Sequence, residues 1–160
     1  MPNELIYAIF FVLPAMIANA SPIIYGGGTP IAKNIFGKNK TIIGFIAGVG
    51  GGVFCALMLF ILTIWPFDFY VSIYLGLLQG FVAMLGDLVG SFVKRQLKIV
   101  EGDELIILDQ LGFMAFALML SNSIIKLNTG QIIFVFFVTF LLHKATNVIA
   151  FVLKLKDRAH

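Results

Sequence analysis

A chain of 160 residues that is 60% hydrophobic and only 12% charged has too little polar surface to clothe a water-soluble globule. Its net charge of +3 comes from basic residues beside apolar runs, which points to anionic headgroups or phosphate substrates as partners and away from nucleic acid. The length suffices for one helical bundle, residues 1–160 as a single domain, and Cys55, the only cysteine, excludes an intramolecular disulfide framework.

Membrane spans need about 20 apolar residues to cross a hydrocarbon core of roughly 30 Å. The first apolar run covers residues 5–20 and is interrupted by Pro14. Ala18-Asn19-Ala20 mimics the end of a secretory signal, but Glu4 stands where a basic residue would precede one, so the run reads as a kinked span. The second run, 42–64, closes at Trp65-Pro66-Phe67-Asp68, an interfacial aromatic group with a helix stop. The third extends over 69–93 and ends at Lys94-Arg95; the fourth covers 105–125 and the fifth 131–153. The expected fold is all-α, a polytopic integral membrane bundle of about five transmembrane helices. Glycines at four-residue spacing (Gly44, Gly48 and Gly52; Gly76 and Gly80; Gly86 and Gly90) let the second and third helices approach others closely. Basic residues gather on one side: Lys33, Lys38 and Lys40, then Lys94, Arg95 and Lys98, then Lys154, Lys156 and Arg158, against Lys126 alone on the other. The bias places the N-terminus outside and those three regions, with the C-terminus, in the cytoplasm of a multi-pass cell-membrane protein.

An ionisable group inside a span is costly unless it faces a partner, a metal or water. Asp87 lies inside the third span and Asp109 near the cytoplasmic start of the fourth; antiparallel neighbours would bring them to similar depth. Asp87, Ser91, Lys94 and Arg95 fall on one helical stripe at i, i+4, i+7 and i+8. A deep carboxylate, a hydroxyl above it and two cations at the mouth suit a polyphosphate bound through Mg²⁺. The same spacing also suits a structural Asp–Lys pair joining helices. The loop after the first span holds Asn19-Ala20-Ser21-Pro22, Gly26-Gly27-Gly28 and Gly37-Lys38-Asn39-Lys40-Thr41. It is either an anion-binding loop feeding the helix start at Thr41 or a solvated basic linker. His143 and Asn147 share a face of the fifth span, suited to binding phosphate or to bonding between helices.

Taken together, Gly86-Asp87-x-x-x-Ser91-x-x-Lys94-Arg95 followed by Leu108-Asp109-Gln110-Leu111 resembles the signature of membrane cytidylyltransferases that make CDP-activated lipids. Asn19-Ala20-Ser21-Pro22 with the glycine triplet, Lys40-Thr41-x-x-Gly44-Phe45-Ile46 and His143-x-x-x-Asn147 narrow the likeness to the archaeal CDP-archaeol synthase family, relatives of the CDP-diacylglycerol synthases. The resemblance spans nearly the whole chain. It implies transfer of a cytidylyl group from CTP to an unsaturated isoprenoid diether lipid phosphate, with release of pyrophosphate. It also implies Asp87 and Asp109 as ligands of one or two Mg²⁺ ions, Lys94 and Arg95 as neutralising charges, and Lys38, Lys40 and Thr41 at the triphosphate. Gly44, Ser91, Asn19, Ser21, His143 and Asn147 would complete the substrate pocket among membrane lipids. Departures from the family pattern are Gly112, where an acidic residue commonly follows, Val100-Glu101-Gly102-Asp103 in place of Pro-Gly-His-Gly-Gly, and the apolar residues between Lys40 and Gly44.

From another functional class, the alternative is a small transporter or channel with Asp87 and Asp109 as ion sites. Transporters often carry internal repeats and midplane sites, whereas here no repeat is visible and the polar residues collect at one membrane face. A CDP-alcohol phosphotransferase would need more aspartates along the helix than these.

Overall fold

Each apolar run forms one long helix, and polar side chains at the run ends set where it begins. The computed structural model describes residues 2–24, 27–99, 106–121 and 126–152; within them the side chains of 2, 3, 106–111, 120, 121, 143, 146, 147 and 150 fall outside the description. The side chains of Asp109, His143 and Asn147, together with Gly26 and the tail bearing Lys154, Lys156 and Arg158, therefore lie outside the described residues. The order is α1 (Pro2–Ala20) with a 3₁₀ turn (Ser21–Ile23), α2 (Lys33–Phe36), α3 (Ile42–Ile61), α4 (Phe69–Gln96), α5 (Ile106–Ser121) and α6 (Thr129–Val152). The long helices are the five expected spans. Stretches Glu4–Ile23, Ile42–Ile61 and Phe69–Gln96 are each long and apolar enough to cross a bilayer, and Thr129–Leu142 is a shorter apolar stretch.

The helix starts follow capping chemistry. Thr41 Oγ1 accepts from the Gly44 N–H at 3.0 Å to open α3, and Asp68 Oδ1 accepts from the Val71 N–H at 2.9 Å to open α4. At the head of α6 the exchange is reciprocal: Gln131 N–H donates to Asn128 Oδ1 and Asn128 N–H donates to Gln131 Oε1. Helices α3 and α4 both end with a residue in the left-handed region, Thr63 and Lys98, and with the N–H of the next residue bonded back to the carbonyl of Leu59 or Lys94.

Helix α1 is the centre of the bundle and touches α3, α4, α5 and α6. Its Ala8, Phe11, Val12, Ala15 and Ala18 are fully buried. Small residues let the backbones meet. A Cβ on Gly52 of α3 would lie 2.9 Å from Gly80 Cα of α4, and one on Gly86 would lie 2.8 Å from Phe113 Cα of α5. The spacing that suggested close approach is thus realised as direct backbone contact, with α3 and α5 on different sides of α4.

Pro14 explains a further buried contact. Its ring removes the N–H that would bond the Phe10 carbonyl, and an unpaired carbonyl in a membrane interior is costly. The Trp65 indole Nε1–H donates to that Phe10 carbonyl at 3.3 Å, and one residue along the Gln79 amide donates to the Phe11 carbonyl at 2.8 Å. Trp65, buried just beyond the end of α3, therefore pairs the carbonyl that Pro14 leaves without its helical partner. Trp65→Phe should lower stability by about 1–3 kcal/mol, the cost of an unsatisfied buried group. Much of that loss should vanish in a Pro14→Ala background, where the restored N–H pairs the carbonyl. A double-mutant cycle on thermal unfolding in detergent reads the coupling, and strictly additive losses would refute it.

Candidate active site at the basic end of the bundle

The loop before α3 folds back along it. Residues 29–31 pair with 40–42 around a Pro30–Thr41 bridge: Ile31 N–H donates to the Lys40 carbonyl at 2.8 Å and Ile42 N–H to the Thr29 carbonyl at 3.0 Å. Gly28 makes the return possible, with φ +95° and only 2.9 Å between the place of a Cβ and Ile43 Cδ1. The backbone of Lys40 is fixed by this pairing, and its side chain reaches across to α4.

There Lys40 Nζ meets Asp87 Oδ2 at 2.5 Å. Both side chains are about three-quarters covered, at 28% and 22% exposure, so water screens the pair only partly. They face a cavity of about 40 Å³, whose polar wall is Asn39, Lys40, Thr41 and Asp87 and whose apolar wall includes Phe45, Met84 and Leu88. Gly44 lies on the same wall, where its lack of a side chain leaves room beside the Thr41 cap.

The α4 stripe continues toward the basic end. Ser91, one turn beyond Asp87, is buried, and Lys94 and Arg95 are half-buried in the final turn of the helix. Arg95 Nε is buried with no hydrogen-bond partner among the described residues. About 100° around α4 from Asp87, Gly86 abuts Gly112 and Phe113 of the antiparallel α5. One turn toward the basic end on each helix, Gly90 of α4 comes level with Asp109 of α5. The backbone register therefore sets the Asp109 position about one helical turn from the level of Asp87, toward the basic end, with its side chain outside the described residues.

Other sequence candidates are placed differently. Lys38 is exposed in the loop, and Asn19 is half-buried at the end of α1. The Ser21 hydroxyl donates to the Ile17 carbonyl at 2.7 Å and rests against Gly51 of α3, away from the cavity wall, where Pro22 stands instead. His143 and Asn147 belong to α6, which packs on α1 and α5 and, among the described residues, meets neither α3 nor α4. Phe45 and Asn39 entered the sequence analysis only as members of the Lys40-Thr41-x-x-Gly44-Phe45-Ile46 and Gly37-Lys38-Asn39-Lys40-Thr41 motifs, without a role of their own, and Met84 and Leu88 not at all; the signal for these two was adjacency to Asp87.

Comparison with known proteins agrees with this architecture. The profile of the family described as CarS-like, CDP-archaeol synthase, matches residues 1–160. The CDP-archaeol synthase of Pyrococcus furiosus is 36% identical over 97% of this chain and 98% of its own length. That of Thermococcus kodakarensis is 38% identical over 93% of this chain and 92% of its own. A solved structure described as an intramembrane enzyme for archaeal membrane lipids biosynthesis is similar with a TM-score of 0.78 and 31% identity, covering 88% of this chain and 92% of that one. The chain belongs to the CDP-archaeol synthase family.

Proposed function

We propose that this membrane enzyme transfers the cytidylyl group of CTP to the phosphate of an unsaturated isoprenoid diether lipid, giving CDP-archaeol and pyrophosphate. A lipid phosphate oxygen attacks the α-phosphorus of CTP in line, and the bond from that phosphorus to the pyrophosphate oxygen breaks. No covalent enzyme intermediate is needed, so positioning and charge neutralisation carry the catalysis. The observation that carries the reading is the fixed Lys40–Asp87 pair beside a small half-polar cavity at the start of a membrane span.

The donor set suits Mg²⁺. Asp87 offers hard oxygen, and Mg²⁺ is commonly held by one or two carboxylates, with waters and substrate phosphates completing its shell. Asp87 and Asp109 would hold it, and when bound it supplies charge neutralisation and alignment of the phosphates. Lys40, Lys94 and Arg95 bind phosphate oxygens directly, the orphaned Arg95 Nε–H being a ready donor. In the first turn of α3 the Ile42 N–H is held by the Thr29 carbonyl and the Gly44 N–H by Thr41 Oγ1, so this helix end contributes its positive dipole to an anion more than free donors. Lys38, Asn19, Ser21, Ser91, His143 and Asn147 take outer places around the two substrates. The basic residues put this end of the bundle in the cytoplasm, where CTP is found, and the N-terminus outside.

Family membership and the collection of charge at one end favour this reading over a transporter. The test is pyrophosphate release by the purified protein in detergent, with and without Mg²⁺, CTP and digeranylgeranylglyceryl phosphate. Turnover should require all three. Release without the lipid, or no release with any lipid phosphate from folded protein, would count against the assignment.

A further inference from the structure

The cavity beside Asp87 is small for the charges that face it. Its volume of about 40 Å³ has room for roughly two or three water molecules. Ligand pockets run to roughly 300–1,000 Å³. Asp87 and Lys40 can therefore meet a metal ion and a chain of phosphates only when one wall of the cavity moves. The helical walls are held in place. Gly80 of α4 lies against the backbone of Val49 and Gly52 of α3, and Gly86 of α4 lies against that of Phe113 in α5.

The wall that carries Ile31, Asn39 and Lys40 is of another kind. These residues belong to a loop, 31–40, whose two arms are joined at the base by the Pro30–Thr41 bridge and which carries the short helix α2 against α4. Within 31–40 only Gly37 is buried, and α2 has no buried residue. A segment that hides so little apolar surface opens at low cost. The backbone turns through glycines on either side of α2, Gly28 at φ +95° and Gly37 at φ +96°, so a swing about the base meets little steric resistance. Across the cavity the Lys40–Asp87 ion pair ties the loop to α4.

We propose that residues 31–40 form a flap latched shut by the Lys40–Asp87 pair, and that a metal-bound polyphosphate opens it by taking both partners of the latch. The inference rests on the reading of Asp87 and Lys40 as groups that meet metal and phosphate, and adds how the site stays covered between turnovers. Each half of the incoming ligand acts on one partner. A divalent cation at the Asp87 carboxylate repels the Lys40 ammonium, and phosphate oxygens offer that ammonium a charge-assisted bond in exchange. A nucleoside without phosphates offers Lys40 nothing comparable and leaves the latch closed.

The test measures the flap by electron spin resonance distances between two nitroxides. In a Cys55→Ala background, which removes the one native thiol, labels go on Ile35→Cys in α2 and on Val152→Cys in α6, both exposed positions. Helix α6 starts beside the start of α1, where Gln131 Nε2–H donates to the Glu4 carbonyl at 3.2 Å, so Val152 stands at the basic end and across the bundle from the flap. The full-length protein in nanodiscs should give one narrow distance without ligand. Saturating Mg²⁺ with CTP, in the absence of acceptor lipid, should lengthen it by several ångströms, and Mg²⁺ with cytidine should not. Lys40→Met and Asp87→Asn, which break the latch from its two sides, should both show the longer distance with no ligand present. The exchanged pair, Lys40→Asp with Asp87→Lys, should return the short one. A distance left unmoved by Mg²⁺ and CTP where they bind, or by both substitutions in protein that still unfolds cooperatively, would overturn the latch. Pyrophosphate release by the labelled protein separates the two levels. Turnover with an unmoved distance removes the flap and keeps the enzyme; absence of turnover, with the distance lengthened by both substitutions, removes the enzyme reading and keeps the latch.

Discussion

Asp87→Asn lowers turnover by roughly 10³-fold, on the scale of losing a principal charge-stabilising group in an active site, while the protein stays folded. The substitution keeps shape and removes only the negative charge, so Lys40 can still approach the amide. Two readings of the Lys40–Asp87 pair separate cleanly here. If the pair merely stitches α3 to α4, breaking it from either side has the same consequence: Asp87→Asn and Lys40→Met lower the unfolding temperature alike, and neither gains affinity for metal. If Asp87 is a metal ligand, the two changes diverge. Lys40 then competes with a cation for the same carboxylate oxygen, as two positive charges for one negative site. Lys40→Met should raise the affinity of the nucleotide-free protein for Mn²⁺, read by the loss of free-ion paramagnetic resonance signal, several-fold. Asp87→Asn should lower it by at least about tenfold. Lys40→Met should also weaken CTP binding by about tenfold, the loss of one charge-assisted contact. Matching changes in Mn²⁺ affinity for both variants would leave the pair structural.

What the sequence disclosed, and what it did not, follows from the range of each signal. The spans were legible because hydrophobic length and end-capping are local: Thr41, Asp68 and the Trp65-Pro66 stop mark helix ends within a residue or a few of where they occur. Asp87 was legible because a charge inside an apolar run is costly wherever the run packs. Its partner was not. Lys40 was named for the triphosphate through its Lys40-Thr41 motif, not as the partner of Asp87, and only the fold-back of residues 29–31 on 40–42 fixes it opposite α4. The apolar wall was hidden as a wall, since Phe45 stood only as a motif member and Met84 and Leu88 look like any apolar span residues until the α3–α4 crossing places them beside a carboxylate. Ser21 went the other way. Its place in the Asn-Ala-Ser-Pro run suggested the pocket, yet the hydroxyl bonds back to its own helix at Ile17, the usual local alternative for a serine one turn on. The Trp65 indole and the Phe10 carbonyl that Pro14 leaves unpaired are 55 residues apart along the chain, a separation no local pattern reports.

Two glycines on one face-to-back turn of α3 carry the other large effect. Gly50→Ala and Gly52→Ala are the same chemical change, two residues apart in the same helix, and their consequences should have opposite signs. A Cβ at Gly50 meets nothing within 4 Å, so alanine there only restricts the unfolded chain and favours the helix, a gain of about 0.5–1 kcal/mol. At Gly52 a Cβ would lie 2.9 Å from both the Gly76 carbonyl oxygen and Gly80 Cα, atoms of a facing backbone that has no rotamer to yield. The helices must separate, forfeiting close contact along the seam where packing substitutes for a hydrophobic driving force. Gly52→Ala should cost about 1–3 kcal/mol, and Gly52→Leu more, shown as a lowered unfolding temperature in detergent. The effect should reach the chemistry as well. Lys40 stands at the head of α3 and Asp87 on α4, so a wedge at Gly52 spreads the two walls of the cavity, and turnover should fall in Gly52→Leu protein kept below its unfolding temperature. Equal stability of the two alanine variants would mean that the α3–α4 seam is looser than backbone contact, and the cleft beside Asp87 would lose its rigid frame.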